Sequence, residues 1–344
     1  MTPSTLDYPW SEPPPAGAAI DVARRLQWVR MPLPFALDHI NLWLLHDARG
    51  CTLVDTGYGD RTTRAAWDRV FADTLNGTPV TRIVATHYHP DHLGNAAWLA
   101  ERFDTAVWMT QAEFLTAHAI FDQIAPYRAA DTSTLFAAHG MQRASLDALA
   151  ARGNRYRAGV PTLPERFRRL IAADRVDAGD SEWVVIPGFG HSPEHAALYS
   201  STAGVLISGD MLLPRISTNV AVWPAEAEGD PLQRFLDSLT AFEALPPETL
   251  VLPSHGLPFR GIGLRVRQLR AHHEARLAEL YEAVAARQRP VSAAEIVPVL
   301  FRRELDLQQL FFAMGEAIAH LNHLWHAGRL TQVKEEDGSV RFAA

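Results

Sequence analysis

Between residues 87 and 92 the chain reads His87-Tyr88-His89-Pro90-Asp91-His92, three imidazoles and a carboxylate within six residues. They follow an apolar run, Arg82-Ile83-Val84-Ala85-Thr86, that reads as a short buried strand ending at the cluster. Imidazole and carboxylate are donors that bind zinc or a similar divalent ion, and a strand end leaves coordination positions open to a substrate. The chemistry implied is that of a metal-dependent hydrolase.

With 344 residues, 47% of them hydrophobic, the chain can bury a full core and has room for one large domain and a small one. A net charge of −7 gives no electrostatic footprint for nucleic acid. No apolar stretch approaches the length of a membrane span, and Met1 to Pro15 lacks the basic-then-apolar order of a secretory signal, so a cytoplasmic location is expected. The single cysteine, Cys51, excludes an internal disulfide framework, and its neighbours Leu53 and Val54 suit a small buried residue better than a nucleophile.

Prolines 3, 9, 13, 14 and 15 make residues 1–17 a tail or a surface strap. Strands are predicted at 25–31, 40–45 and 52–54, a helix at 62–75, the cluster strand, a helix at 95–102 and a strand at 106–109. Residues 111–173 read as a helical, loop-rich insertion broken by Pro126, Pro161 and Pro164, with arginines at 152, 155, 157, 166, 168 and 169. Strands return at 182–187, 196–200, 205–208 and 250–253, with a helix at 231–245, so the second half repeats the alternation of the first. A long amphipathic stretch at 261–287 closes a catalytic domain spanning 18–288. A C-terminal unit, 289–344, has two or three helices and a hairpin, the pattern of a winged helix. Its segment from Glu316 to Gly328 holds neither lysine nor arginine but carries Ile318, Leu321, Leu324 and Trp325, so packing or dimer contact is expected rather than DNA reading. His320, His323 and His326 recur there at helical spacing without a nearby carboxylate or cysteine, which argues against a metal face.

Three further candidates, His191, Asp210 and His255, each follow a strand-like segment with Gly or Pro beside it, as the first cluster does. This order, His-x-His-x-Asp-His, then His, Asp and His, resembles that of the metallo-β-lactamase superfamily over residues 20–270. The resemblance implies an αββα sandwich with two divalent metal ions at one edge of its sheets, zinc first, with iron or manganese as alternatives. It places His87, His89 and His191 on the first ion, Asp91, His92 and His255 on the second, and Asp210 between them. Asp91 and Asp210 are then the catalytic carboxylates, Asp91 orienting a water held between the ions; such a water loses a proton near neutral pH and becomes the nucleophile. Asp55, in Asp55-Thr56-Gly57, also falls at a family motif, where it is expected to hold a ligand's orientation; His195, four residues after His191, is expected nearby.

Departures within the family narrow the substrate. True β-lactamases with the same first motif are secreted and lack the bridging aspartate, and the sulfur dioxygenases keep a single iron. Among dinuclear members with a bridging aspartate, thioesterases resembling hydroxyacylglutathione hydrolase compete with lactonases, phosphodiesterases and RNA-processing nucleases, and the C-terminal unit makes the chain similar to the β-lactamase-like protein 2 group, which includes thioesterase-like members and some endoribonucleases. A thioester or related ester as small-molecule substrate ranks first, phosphodiester or RNA cleavage second, and metal-dependent binding without catalysis third. A single lysine, Lys334, and the negative charge weigh against RNA, while the arginines of the insertion keep it open. Arg215 and Trp223 in the apolar loop after Asp210 are candidate substrate contacts, with Arg260 and Tyr127 beside them. The leucines of the C-terminal unit admit a homodimer.

Overall fold

The computed structural model describes residues 5–344. Four antiparallel strands come first, β1 (Ala19–Ala23), β2 (Leu26–Pro32), β3 (His39–Asp47) and β4 (Gly50–Val54). Helix α1 (Arg61–Arg69) is capped by the Asp60 carboxylate, which accepts from the Thr63 N–H, and it leads to β5 (Val80–Val84). The short α2 (Pro90–Leu93) and α3 (Ala96–Phe103) then lead to β6 (Val107–Thr110). Four helices follow, α4 (Gln111–Phe121), α5 (Ala129–Ala138), α6 (Arg143–Ala151) and α7 (Tyr156–Gly159), and β7 (Phe167–Leu170) completes a seven-stranded sheet in chain order.

The second sheet has five strands, β8 (Arg175–Ala178), β9 (Ser181–Gly188), β10 (His195–Ser200), β11 (Val205–Gly209) and β12 (Leu250–Pro253). α8 (Pro231–Glu243) makes the crossover that sets β12 parallel to β11. After it come α9 (Ile262–Ala285), α10 (Ala293–Leu300), α11 (Leu307–His326) and the hairpin β13 (Thr331–Lys334) and β14 (Val340–Ala343). Trp28, Trp43, Val84, Trp183, Ile207 and Leu252 fill the space between the sheets. Trp67, Leu99 and Ala117 cover the outer face of the first, and Phe235, Leu239 and Val266 that of the second, which makes the expected αββα sandwich. β4 and β11 are buried along their whole length because each is covered on both faces.

The strands that the sequence pattern does not predict, β1, β7 and β8, are all edge strands. The stretch 111–173 is therefore not helix and loop throughout, since Phe167–Leu170 pairs in parallel with β6. Its Arg168 and Arg169 are exposed while Leu170 is buried, a charged edge strand whose polar residues hide its alternation. Arg168 lies over the Trp108 ring at 4.1 Å, Arg152 donates to Gln308, and Arg157 donates to the Phe121 carbonyl, so these arginines serve separate local contacts. Within the expected tail 1–17, residues 1–4 lie outside the described residues. The rest is a strap: Asp7 and Arg260 exchange backbone hydrogen bonds, and the Gly17 N–H donates to the Arg30 carbonyl.

The three histidines of α11 have separate partners: His320 Nε2 faces His273 Nδ1 at 3.4 Å, His323 pairs with Asp230, and His326 bonds to the Glu228 carbonyl. Burial drives His273 down to about 3 and His320 to about 4, both below the ordinary 6.5. Unfolded, each would bind a proton that the folded state refuses, so stability falls as pH drops from 6.5 toward 4, by about 1.4 kcal/mol per pH unit per imidazole. The melting temperature of the wild type is expected to fall more steeply over that window than that of His320→Gln. Parallel curves would mean that His320 does not contribute.

Candidate metal centre

All seven predicted ligands meet where the two sheets share an edge. Ligand atoms of His87, His89, His191 and Asp210 lie within 4.8 Å of one another, as do those of Asp91, His92 and His255. Asp210 faces both groups: its Oδ2 is 3.4 Å from His191 Nε2, and its Oδ1 is 3.6 Å from His92 Nε2 and 3.4 Å from His255 Nε2. Asp91 Oδ2 stands 3.4 Å from His255 Nε2 and 3.7 Å from His92 Nε2.

Backbone and polar side chains aim these rings. At the end of β4, Asp55 adopts a left-handed conformation (φ 63°). Its carboxylate accepts from the Thr86 N–H and hydroxyl and, at 2.8 Å, from His92 Nδ1, which leaves His92 Nε2 facing the two aspartates. His191 Nδ1 donates to the Asn219 carbonyl and His255 Nδ1 to the His39 carbonyl, both at 2.8 Å. The sheets are joined at the same edge, where the Ala196 N–H donates to the Thr86 carbonyl. Asn41 ties β3 to the His255 loop by donating to the carbonyls of Pro253 and Gly256. His195, fully buried, accepts the Asp210 N–H on Nε2 at 3.3 Å. That contact requires glycine at 209, where φ is 53° and a Cβ would come within 2.1 Å of His195 Nε2.

Electrostatics divides the rings. Burial, reinforced by neighbouring imidazoles, pushes His87 well below its usual pKa and His89 down to about 3, so both are neutral donors. Burial also opposes charge on His92 and His255, yet nearby carboxylates reverse the sign: Asp55, Asp91 and Asp210 lift His92 well above 6.5, and Asp210 and Asp91 carry His255 up to about 10. Burial would raise Asp91 and Asp210, but the same imidazoles hold Asp91 at about 2 and Asp210 well below its usual range. His92 Nε2 and Asp210 Oδ1 are buried without a hydrogen-bond partner, although buried polar groups are nearly always satisfied. A cation between them satisfies both, so the donor set fits a metal, and two such groups side by side suggest a dinuclear centre.

The remaining candidates lie outside the ligand cluster. Arg215 is exposed, 5.9 Å from the Tyr8 ring, Trp223 packs against Phe311 at 5.2 Å, and the Arg260 guanidinium donates to the Glu248 carbonyl. Tyr127 stands near Tyr88, whose phenol is raised by burial and then by Glu113 and Tyr127.

Family profiles match most of the chain: Metallo-beta-lactamase superfamily over residues 36–255, and Metallo-beta-lactamase-like, C-terminal domain over 277–344. The chain belongs to the metallo-β-lactamase superfamily. It is a metallo-hydrolase, and its structural relatives include a beta-lactamase domain protein from Burkholderia ambifaria, 48% identical with a TM-score of 0.90 over 98% of both chains. The probable metallo-hydrolase YqjP of Bacillus subtilis strain 168 is 23% identical over 86% of this chain and 91% of its own. A hydroxyacylglutathione hydrolase of Erythrobacter litoralis strain HTCC2594 is 26% identical over 76% of this chain and 80% of its own. In this member of the superfamily, no helix among the described residues is long and apolar enough to cross a membrane.

Sequence reasoning missed Glu113 of α4, which is fully buried. Its carboxylate accepts from the Tyr88 N–H at 3.0 Å, between His87 and His89, and from the Ser192 hydroxyl at 2.6 Å and the Glu194 N–H at 2.7 Å, beside His191. Burial raises it to about 7, against the pull of those three donors. Glu113, Thr116 and Ala117 are the buried residues of α4, a face that the sequence of this helix does not mark by its apolar pattern. Glutamine at this position turns an amide N–H toward either the Tyr88 or the Glu194 backbone N–H, and a buried donor left unsatisfied costs about 1–3 kcal/mol. Glu113→Gln and Glu113→Ala are therefore both expected to release bound metal to a chelator about tenfold faster than wild type. Wild-type release from the isosteric Gln variant would mean that Glu113 only fills space.

Proposed function

We propose that His87, His89 and His191 hold one divalent ion, Asp91, His92 and His255 a second, and Asp210 both, and that this centre hydrolyses a thioester or a related ester. The observation that carries the reading is Asp210, whose two oxygens face the two groups from one buried side chain. When bound, such ions supply Lewis acidity and an activated water. The chain's own groups then act through the contacts they make. Asp91, whose side chain is partly exposed, would orient the attacking water. Asp55 and the carbonyls of Asn219 and His39 fix the rings so that nitrogen lone pairs converge. His195 holds Asp210 through its backbone N–H.

Similarity to a hydroxyacylglutathione hydrolase over three quarters of the chain supports a thioester. The arginines of the stretch 111–173 are dispersed among local contacts, which weighs against a phosphodiester track. Arg215, exposed in the loop that begins at Asp210, is our candidate for the polar end of the substrate, and Trp223, at the far end of that loop, packs against Phe311. Zinc is the ion we propose, because imidazole-rich sets with a bridging carboxylate suit it, and the same donors also take iron or manganese.

Elemental analysis of purified protein, with acyl-CoA, acyl-glutathione, lactone and single-stranded RNA assayed in parallel, tests this. Two ions per chain and chelator-sensitive thioester turnover are expected; cleaved RNA with inert thioesters would overturn the substrate. Asp210→Ala is expected to hold fewer than two ions and to lose about 100-fold or more in turnover. A fully active Asp210→Ala enzyme with two ions would refute the shared carboxylate.

A further inference from the structure

The carbonyl that receives the His191 Nδ1 proton belongs to Asn219, in the irregular loop between Asp210 and Trp223. That loop is held from outside the sandwich. The Asn219 amide Nδ2 donates to Oε2 of Glu316 on α11 at 2.9 Å, and the Val222 N–H donates to the Gly315 carbonyl at 3.0 Å. Gly315 sits inside a twenty-residue helix, where glycine is unfavourable by propensity. Its reason is the close approach: a Cβ there would come 2.9 Å from Ala221 Cβ and 3.3 Å from the Val222 carbonyl oxygen. From α9, Arg265 donates to the carbonyls of Leu213 and Ile216, which fixes the other side of the same loop.

We propose that α11 of the C-terminal unit is a working part of the metal centre, with Glu316 and Gly315 as positioning residues that set Asn219 and, through it, the direction in which His191 presents Nε2. The inference rests on the reading of His191 as a metal ligand. A loop of this kind has no sheet ladder to define its path, so its carbonyls point where side-chain anchors hold them. Without the Glu316 acceptor, Asn219 has a free amide and the loop can rotate its carbonyl away from the imidazole. The ring then loses the hydrogen bond that selects its tautomer.

The test measures the rate at which the zinc-loaded, full-length protein loses each ion to a chelator, together with the melting temperature of the metal-free protein. Glu316→Ala and Gly315→Ala are expected to release one of the two ions about tenfold faster than wild type. Glu316→Gln keeps an oxygen for Asn219 and is expected to stay near wild type. Gly315→Ala improves helix propensity, so faster ion loss without a lower metal-free melting temperature separates loop positioning from general destabilisation. His191→Ala is the benchmark. If it loses an ion and Glu316→Ala keeps both at the wild-type rate, the inference fails alone; if His191→Ala itself keeps both ions, the ligand reading fails and the inference with it. A Glu316→Ala protein that loses both ions equally and melts lower without metal would likewise overturn the positioning role.

Discussion

The buried Asp210 carboxylate is the constraint from which the site follows, because a buried anion must be met by positive charge and by hydrogen bonds or it destabilises the fold. Two groups of imidazoles converge on it, and its own N–H is taken by His195. Each consequence is structural before it is catalytic. Gly209 must lack a side chain so that His195 fits, and Thr86 must donate to Asp55 so that Asp55 can orient His92. The Thr86 carbonyl then takes the Ala196 N–H, so the bond that closes the two sheets sits beside the centre. Such a site is stiff, and stiffness keeps ligand atoms converging before a metal arrives.

Residue types at strand ends were enough to find the seven candidate ligands, since histidines and aspartates grouped after buried apolar runs are costly to bury unless a cation joins them. What sets their geometry was hidden, because most of it is backbone: the carbonyls of Asn219 and His39 carry no side-chain signature. Glu113 was hidden for a different reason, being a charge on a helix whose burial only the packed structure reveals. The fold shows the same division. Central strands such as β4 and β11 announce themselves by short runs free of charged residues, while β1, β7 and β8 lie at sheet edges, where charged residues discourage further pairing and blur the alternation.

The helices between β6 and β7 divide their loyalties. Ala117 of α4 and Tyr156 of α7 belong to the apolar cluster over the first sheet, whereas Leu135 and Phe136 of α5, with Met141 after it, belong to the cluster that contains Ile296, Ile318 and Phe342 of the C-terminal unit. The Ala294 N–H donates to the His139 carbonyl, and Gly140 lies so close to Ser292 that a Cβ would come within 2.4 Å of its hydroxyl. A segment that reads as an insertion beside the site is therefore a bracket between the first sheet and the C-terminal helices.

This bracket bears on what the C-terminal unit can recognise. A helix that reads a DNA groove needs one face free and lined with donors and cations. Ten residues of α11, from Ala313 to Leu324, are buried, and the helix packs on α8, α9 and α10. Its histidines are engaged with His273, Asp230 and the Glu228 carbonyl, and its Glu316 faces Asn219. The apolar residues that make Glu316 to Gly328 unlike a recognition helix in sequence are those that seat it against the sandwich. The same contacts place α11 against the loop that begins at Asp210, whose Asn219 carbonyl accepts from His191, so the helix that does not read a groove is packed where a metal ligand is held.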